Sequence, residues 1–338
     1  MNSPSPLPIG IVGLNFGRHI LDQLVRDEVK TQLRLAAVCD IDAEKSALYA
    51  GRFGVKGLTS LDDLIADPDI PAIGLFTGPV GRAQLIRKII RAGKDVITTK
   101  PFETDPEAAL DVLLEARRLG RVVHLNSPGP TPPEDIAQII AWAKDYSLGA
   151  PVGVRADVYA SYREKADGTW YDDPAKCPVA PIFRLGIYLI SDLVQLFGPV
   201  KDVQVLQSRL FTGRPTADNG QLNLLFENGA LGNIFASFCV NDGDHYRNSL
   251  TLNFENGTIY RNVGPDRVGT KSELALVMSR DNQRQIVART IASGTSGSYQ
   301  WDSFARAVRG EKLTNETTPE QIVAGLRVIQ SMSAAARA

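Results

Sequence analysis

Three places in the chain set residue types that could do chemistry at telling positions. The first is the run Gly13-Leu14-Asn15-Phe16-Gly17-Arg18, which follows the apolar stretch Pro8–Gly13. A glycine-rich turn between a strand and a helix turns the free N–H groups of the helix start toward an anion. In the G-x-G-x-x-G pattern the first glycine makes the tight turn, the second lets backbone approach a pyrophosphate, and the third lets helix and strand pack. Gly13 fits the first role, Asn15 replaces the second glycine and Arg18 the third, with Gly17 one place earlier. Asparagine tolerates left-handed backbone, and its amide could donate to a phosphate. An ordinary strand-to-helix turn is the other reading of the run.

The second place is Asp40, at the end of the run Ala37-Val38-Cys39-Asp40. An acid twenty-odd residues beyond the turn is where ribose hydroxyls are gripped, and its charge repels a 2′-phosphate. This points to NAD over NADP, with NADP left open; capping of the next helix is the alternative role for Asp40. The third place is Lys100, after Val96–Thr99. A lysine leaving the C-terminal end of a parallel strand points into the crevice where open α/β sheets bind ligands. There it could stabilise negative charge developing on an oxygen; a solvent-exposed loop lysine is the other reading. Asn126, after the next strand, could reach the same crevice.

The elements that must carry these residues are legible as alternation. Apolar runs at 8–13, 33–39, 72–76, 96–99 and 121–125 are separated by amphipathic stretches near 16–29, 42–52, 60–66, 80–92 and 106–119. Ser60 and Asp105-Pro106 sit where helices start, and Gly93 and Gly120 where they end. Continuous apolar strands between helices predict a parallel sheet covered on both faces, a doubly wound Rossmann arrangement. After residue 126 the pattern changes: a Pro-rich stretch, a helix to about Asp145, a strand at 152–161, a helix at 182–197, then strands at 200–208, 219–226, 230–239, 248–254 and 258–262. Asn228-Gly229 and Asn256-Gly257 predict type I′ hairpin turns. Helices near 298–309 and 319–335 close the chain. The expectation is α/β overall: a dinucleotide-binding Rossmann domain over 1–126, and over 127–338 an α+β domain with a large, mostly antiparallel open sheet. The terminal helices have the option of packing back on the first domain. A sheet face without helices predicts self-association as a homodimer or homotetramer.

Lys100-Pro101-Phe102-Glu103 after its strand resembles the glucose–fructose oxidoreductase, inositol dehydrogenase and MocA family, which places a Lys-Pro pair at this point. The likeness runs from about residue 8 to about 335. It includes Ile73-Gly74-Leu75-Phe76-Thr77 before the helix with Arg87 to Gly93, the hairpin Phe226 to Gly232, Trp301-Asp302-Ser303-Phe304 and Thr318-Pro319-Glu320. The resemblance implies dinucleotide contacts from Gly13, Asn15, Phe16, Gly17, Asp40, Thr77, Lys100 and Pro101. It also implies that Lys100 holds and polarises a substrate oxygen. Thr99 stands where the family usually has Glu, so a carboxylate that would orient the lysine is missing. The family's Asp-x-Gly-x-His-x-x-Asp run corresponds to Arg184-Leu185-Gly186-Ile187-Tyr188-Leu189-Ile190-Ser191-Asp192. Some members place Tyr where others have His, so Tyr188 is implied as proton donor or acceptor. Residues 184 and 188 would share one helix face, and a phenol flanked by Lys100 and Arg184 would have its ionised form favoured. Arg184 could clamp a substrate carboxylate or form a surface salt bridge. Tyr159, Tyr162, Trp170 and Tyr171 could stack on sugar faces, with Tyr162 and Trp170 named as substrate contacts; core packing is the alternative.

The bulk numbers exclude other classes. The 338 residues, 43% hydrophobic and 22% charged, describe a globular chain long enough for two cores. With 37 basic and 38 acidic residues, net charge −1 and no run of like charge, nucleic acid is not an expected partner. Cys39, Cys177 and Cys239 form no C-x-x-C pair, and His19, His124 and His245 have no ligand spacing, so no disulfide framework and no metal are expected. His124 and His245 read as structural and His19 as neither structural nor a ligand. Residues 1–8 carry no basic group, and Ile9–Val12 is too short to span a bilayer, so a cytoplasmic location without membrane contact is expected. The function expected is hydride transfer between NAD(H) and a sugar, cyclitol or related polyol or carbonyl, with Lys100 on the oxygen and Tyr188 as acid/base. The rivals are a non-catalytic dinucleotide-binding sensor or regulator, and a glycosidase using tightly bound NAD.

Overall fold

The computed structural model describes residues 5–243, 246–264, 271–294 and 296–336. The chain divides into one unit running to Thr131 and including Ser298–Val323, and a second made of Pro132–Gly297 with the residues from Ala324 on.

The first unit alternates β1 (Leu7–Val12), α1 (Leu14–Leu24), α2 (Asp27–Lys30), β2 (Leu33–Cys39), α3 (Ala43–Phe53), β3 (Lys56–Leu58), α4 (Leu61–Ala66), β4 (Ala72–Leu75), α5 (Arg82–Arg91), β5 (Asp95–Thr98), α6 (Pro106–Arg118) and β6 (Val123–Leu125). The six strands are parallel in the order β3-β2-β1-β4-β5-β6, the doubly wound Rossmann order. Every residue of β4 and β5 is buried, as expected of strands covered on both faces. The helix ends follow their punctuation. Ser60 accepts from the Asp62 N–H, and Asp105 accepts from Glu107 and Ala108 just before Pro106. Two details differ from the sequence expectation. The helix expected at 16–29 begins at Leu14 and breaks at Val25 into two, and β3, three residues with no apolar run, had no periodicity to show it.

The second unit holds α7 (Glu134–Asp145), β7 (Pro151–Tyr159), a π-helical turn at Ile182–Gly186, α8 (Ile187–Phe197), and β8 (Val200–Ser208), β9 (Asn219–Phe226), β10 (Leu231–Ser237), β11 (Arg247–Phe254), β12 (Gly257–Arg261), β13 (Ser272–Arg280) and β14 (Gln283–Ala292). Its eight-stranded sheet runs β14-β13-β12-β11-β7-β10-β9-β8, antiparallel except where β7 lies parallel to β10. Helices α7 and α8 supply Ile136, Ile139, Leu189 and Leu193 to a core completed by Val154, Ala156 and Val158 of β7. The chain ends with α9 (Trp301–Val308) and α10 (Pro319–Ala335). Among the described residues no helix is long and apolar enough to cross a membrane.

Both Asn-Gly hairpins exist, but neither is type I′. At 227–229 only Gly229 has positive φ, and its N–H bonds to Phe226 O, a three-residue loop ending in a left-handed glycine. Neither Asn256 nor Gly257 has positive φ, and Gly257 already pairs in β12. The two-residue turn with both central residues left-handed is Asp281-Asn282, between β13 and β14, strands that the sequence reading did not find.

One charged cluster lies inside this second core. Arg261 on β12 donates through Nη1 to Asp135 of α7 (2.9 Å) and Asp192 of α8 (3.1 Å), and through Nη2 to Asn248 Oδ1 (3.1 Å). All three charged side chains are at most 2% exposed. Ser272 and Ser296 hydroxyls donate to the two carboxylates. Burial holds the Asp192 carboxyl above the usual carboxylate range, with Arg261 opposing. Arg261→Met leaves two buried carboxylates without their cation and is expected to cost about 3–5 kcal/mol in urea denaturation. Changing Asp135 and Asp192 to Asn in the same chain should restore much of that loss. A loss below about 1 kcal/mol for Arg261→Met would show that the cluster does not hold the helices to the sheet.

Candidate functional site

The strand β1 delivers the chain to Gly13, whose φ of 86° is left-handed. A Cβ built there would lie 2.8 Å from the Phe76 carbonyl carbon and 3.0 Å from the Thr77 nitrogen, so only glycine fits. Gly13 N–H bonds to Cys39 O, and Gly17 N–H to Gly13 O. Asn15 and Phe16 therefore sit in the first turn of α1, where N–H groups lack an intrahelical acceptor. The N-cap residue, Gly13, has no side chain with which to cap this helix. The donor set suits an anionic group such as a diphosphate. The left-handed residue is Gly13 itself; Asn15 is helical and needs no unusual backbone. The close helix–strand contact falls to Gly17, whose added Cβ would be 3.1 Å from Ile11 Cγ2, so the third glycine's role is filled one place early.

Asp40 is 8% exposed and does not cap the next helix. Asp42 does that, accepting from Lys45 N–H. Asp40 Oδ2 instead accepts from Leu14 N–H at 2.7 Å and Oδ1 from Asp42 N–H at 3.1 Å, which aims the carboxylate at the start of α1. Lys45, unremarked in the sequence, donates to Asn15 Oδ1 at 2.8 Å and lies 4.0 Å from Asp40 Oδ1. The Asn15 carboxamide is thereby an acceptor for a lysine.

Lys100 follows β5, and the Lys100-Pro101 peptide is cis. Its N–H donates to Asn126 Oδ1 at 3.0 Å, and the Thr99 hydroxyl to the same oxygen at 3.3 Å. Asn126 is 4% exposed, so it acts on the Lys100 turn from beneath. Two further residues escaped the sequence reading. Arg82, 2% exposed, donates to the carbonyls of Thr77, Gly78, Thr99 and Pro101. Glu103, 3% exposed, caps α5 by accepting from Gly81 and Ala83 N–H at 3.4 and 2.9 Å, and also accepts from Thr104 N–H at 2.7 Å. The signal for Arg82 was available: it falls on the buried stripe with Ile86 and Ile89, a charge where periodicity demands an apolar residue.

In the second unit Tyr188 lies on α8, half-buried, with its ring against Gly297; a Cβ on that glycine would sit 2.7 Å from Cε1. The α-helical spacing assumed for residues 184 and 188 does not hold, because Ile182–Gly186 is a π-helical turn. Arg184 goes to Glu164 in a two-pronged pair, at 2.5 and 2.9 Å, 13% exposed rather than on the surface. Its guanidinium also lies 4.1 Å from the Tyr171 ring centre and 4.8 Å from that of Phe238. The fork is thus engaged by a carboxylate of the chain itself. The hydrogen bond from Arg184 in turn holds Glu164 below the usual carboxylate range. Trp170 and Tyr171 pack together at 4.1 Å, and Trp170 also meets Phe183 edge-on. Tyr162, 44% exposed, stacks on Phe238, and Tyr159 carries Arg247 over its ring.

His124 is 5% exposed, edge-on to Phe304, and burial pushes its pKa down to about 4. His19 is exposed beside Arg18, and His245 lies outside the described residues. All three cysteines are buried and none is in a disulfide, and burial pushes Cys39 up to about 11. Among the described residues no group of three or more His, Cys, Asp or Glu is placed to hold a metal ion.

Residues 7–127 match the oxidoreductase family with the NAD-binding Rossmann fold, Gfo/Idh/MocA, and residues 136–260 match the C-terminal domain of the same family. Inositol 2-dehydrogenase 3 of Saccharopolyspora erythraea is 31% identical over 119 residues, 35% of each chain. The match therefore spans about a third of that relative's length. A putative NADPH-dependent oxidoreductase of Desulfitobacterium hafniense has the same fold, with TM-score 0.78 and 17% identity, over 98% of this chain and 96% of that one. So does the aldose-aldose oxidoreductase of Caulobacter crescentus complexed with glycerol, at TM-score 0.72, 21% identity and 98% of both chains. With both of its halves matched and the 3-2-1-4-5-6 sheet in place, the chain belongs to the Gfo/Idh/MocA oxidoreductase family.

Proposed function

We propose that the chain is an NAD(P)-dependent dehydrogenase or reductase acting on the CH–OH or C=O group of a sugar, cyclitol or related polyol. The observation that carries this is the fixed Lys100 turn at the end of β5, in a unit whose Gly13 turn and Asp40 suit a dinucleotide. The first-turn N–H groups of Asn15 and Phe16 would hold the diphosphate and Asp40 the ribose hydroxyls, with Thr77 and Pro101 as further contacts. The bound dinucleotide supplies the hydride acceptor in one direction and the donor in the other. Lys100 donates a hydrogen bond to the reacting oxygen and stabilises its negative charge. Tyr188 takes the proton of that hydroxyl during oxidation and returns it during reduction. The family relative named as an inositol 2-dehydrogenase and the neighbour complexed with glycerol support a polyol substrate.

Tyr162, 44% exposed, suits a sugar surface; Trp170 serves in packing against Tyr171 and Phe183, and Asn126 in fixing the lysine turn. Arg184 serves the substrate region through its pair with Glu164. The uncovered sheet face presents Leu206, Leu231, Ile286 and Ile291, each at least 47% exposed, and supports self-association into a dimer or tetramer. Sedimentation equilibrium tests this: a monomer at tens of micromolar would refute it.

Lys100→Met and Tyr188→Phe are each expected to lower kcat by about 10²–10⁴-fold on the best substrate of a polyol panel. NADH affinity, read by fluorescence titration, should stay near that of the parent protein. Undiminished turnover in either variant would remove that residue from the chemistry. Asp40→Ser is expected to weaken NADH binding by about tenfold or more while improving NADPH relative to NADH; an unchanged ratio of the two affinities would remove Asp40 from ribose recognition.

A further inference from the structure

Arg82 is a buried cation with an unusual set of partners. It opens α5 behind the left-handed Gly81, and its side chain is 2% exposed. Among the described residues no carboxylate oxygen pairs with it in a salt bridge; its partners are backbone carbonyls and a hydroxyl. Nε donates to Gly78 O at 3.3 Å and Nη2 to Thr77 O. Nη1 reaches Thr99 O at 2.7 Å, Pro101 O at 3.1 Å and Thr98 Oγ1 at 3.3 Å. Burial lowers its pKa to about 10, opposed by Tyr299 and Glu103, so the group stays charged at neutral pH.

The two sets of carbonyls belong to different turns. Thr77 and Gly78 follow β4, in the segment against which Gly13 packs too closely for any side chain. Thr99 and Pro101 flank Lys100. Asn126 accepts the Lys100 N–H, so the turn is held at the Thr99 carbonyl, at the lysine's own N–H and at the Pro101 carbonyl. Glu103 ties the same stretch to α5 through Ala83 N–H. A planar guanidinium satisfies this arrangement because its five donors are fixed in a fork; a single ammonium cannot span it.

We infer that Arg82 is a positioning residue that couples the dinucleotide turn to the Lys100 turn, setting the lysine by its backbone in place of the carboxylate absent at Thr99. This rests on the reading of Lys100 and of the Gly13 turn given above. A guanidinium that fixes both turns makes dinucleotide affinity and lysine placement depend on one group.

The test uses the full chain with Arg82→Gln and Arg82→Lys, with folded fraction set by circular dichroism and all values given per folded protein. Arg82→Gln is expected to weaken NADH binding about tenfold and to lower kcat on the best polyol of the panel roughly a hundredfold, the cost of a small misplacement. Arg82→Lys should fall between Gln and the parent. A merely structural role would lower the melting temperature and the folded fraction but leave the NADH dissociation constant per folded protein unchanged, and that result overturns the proposal. Where the Gln variant does not fold, the Lys variant decides by the same criterion: NADH affinity equal to the parent's is the overturning result. Lys100→Met separates the two readings. Turnover retained in Lys100→Met defeats the role of Lys100. Loss of turnover there, with parental kcat and NADH affinity in Arg82→Gln, defeats the role of Arg82 alone. The double variant Lys100→Met/Arg82→Gln should be no slower than Lys100→Met, because Arg82 acts on kcat through the lysine.

Discussion

The absence of room at Gly13 constrains the whole first unit. Its Cα sits so near the Phe76–Thr77 backbone that a methyl group would overlap main-chain atoms, which cannot swing aside as a side chain can. Backbone at the end of β1 therefore lies directly against backbone at the end of β4. Asp40, at the end of β2, is drawn to the same place by the Leu14 N–H. Three adjacent strands thus end in register at one edge, where the strand order reverses direction between β2-β1 and β4-β5. That edge is where an open α/β sheet binds its ligand, and the geometry follows from one residue that must lack a side chain.

Much of the fold could be read from the sequence because burial on both faces writes a strand as a continuous apolar run. The strands β1, β2, β4 and β5 were legible for this reason, and β3, with Lys56 and Gly57 in three residues, was not. In the second unit, period-two alternation revealed β7 to β12. It failed for β14, which is exposed along most of its length and so carries little alternation, and for its partner β13. Turn type was misjudged because Asn-Gly permits a left-handed pair without requiring one: the loop at 227–229 has three residues, and at the other hairpin the pairing of Phe254 with Gly257 puts Glu255-Asn256 in the turn. The residues of the candidate site were legible by type and position, but their partners were not. Nothing in the spacing of 184 and 188 announces a π-helical turn, whose wider winding changes the faces on which the two residues fall. Nor does spacing show that Glu164, twenty residues upstream, fills the Arg184 fork.

The departures from the family pattern read differently once partners are known. Asn15 needs no left-handed backbone, since Gly13 supplies it and Gly17 gives the close helix–strand contact. Thr99 lacks the carboxylate of its usual counterpart, yet the turn around it is held by Asn126 on one side and by buried side chains of α5 and the following loop on the other. A turn fixed through its carbonyls and N–H groups depends little on the side chain at any one of its positions.

The two most buried arginines show how the same side chain serves two ends. Arg261 is flanked by two aspartates and an asparagine in the second core, so its charge is offset where it lies, and its neighbours come from α7, α8 and β11. It joins elements. Arg82 has carbonyl partners only, apart from one hydroxyl, and all of them lie in β5 or in the turns after β4 and β5. Carbonyl dipoles solvate a cation without cancelling it, and Glu103 nearby favours the charged guanidinium without pairing with it. An ion pair there would have neutralised the charge and tied the guanidinium to a single side chain. Distributing the five donors over backbone instead fixes the path of the main chain, which is the quantity that a reacting lysine and a closely approached glycine turn both depend on.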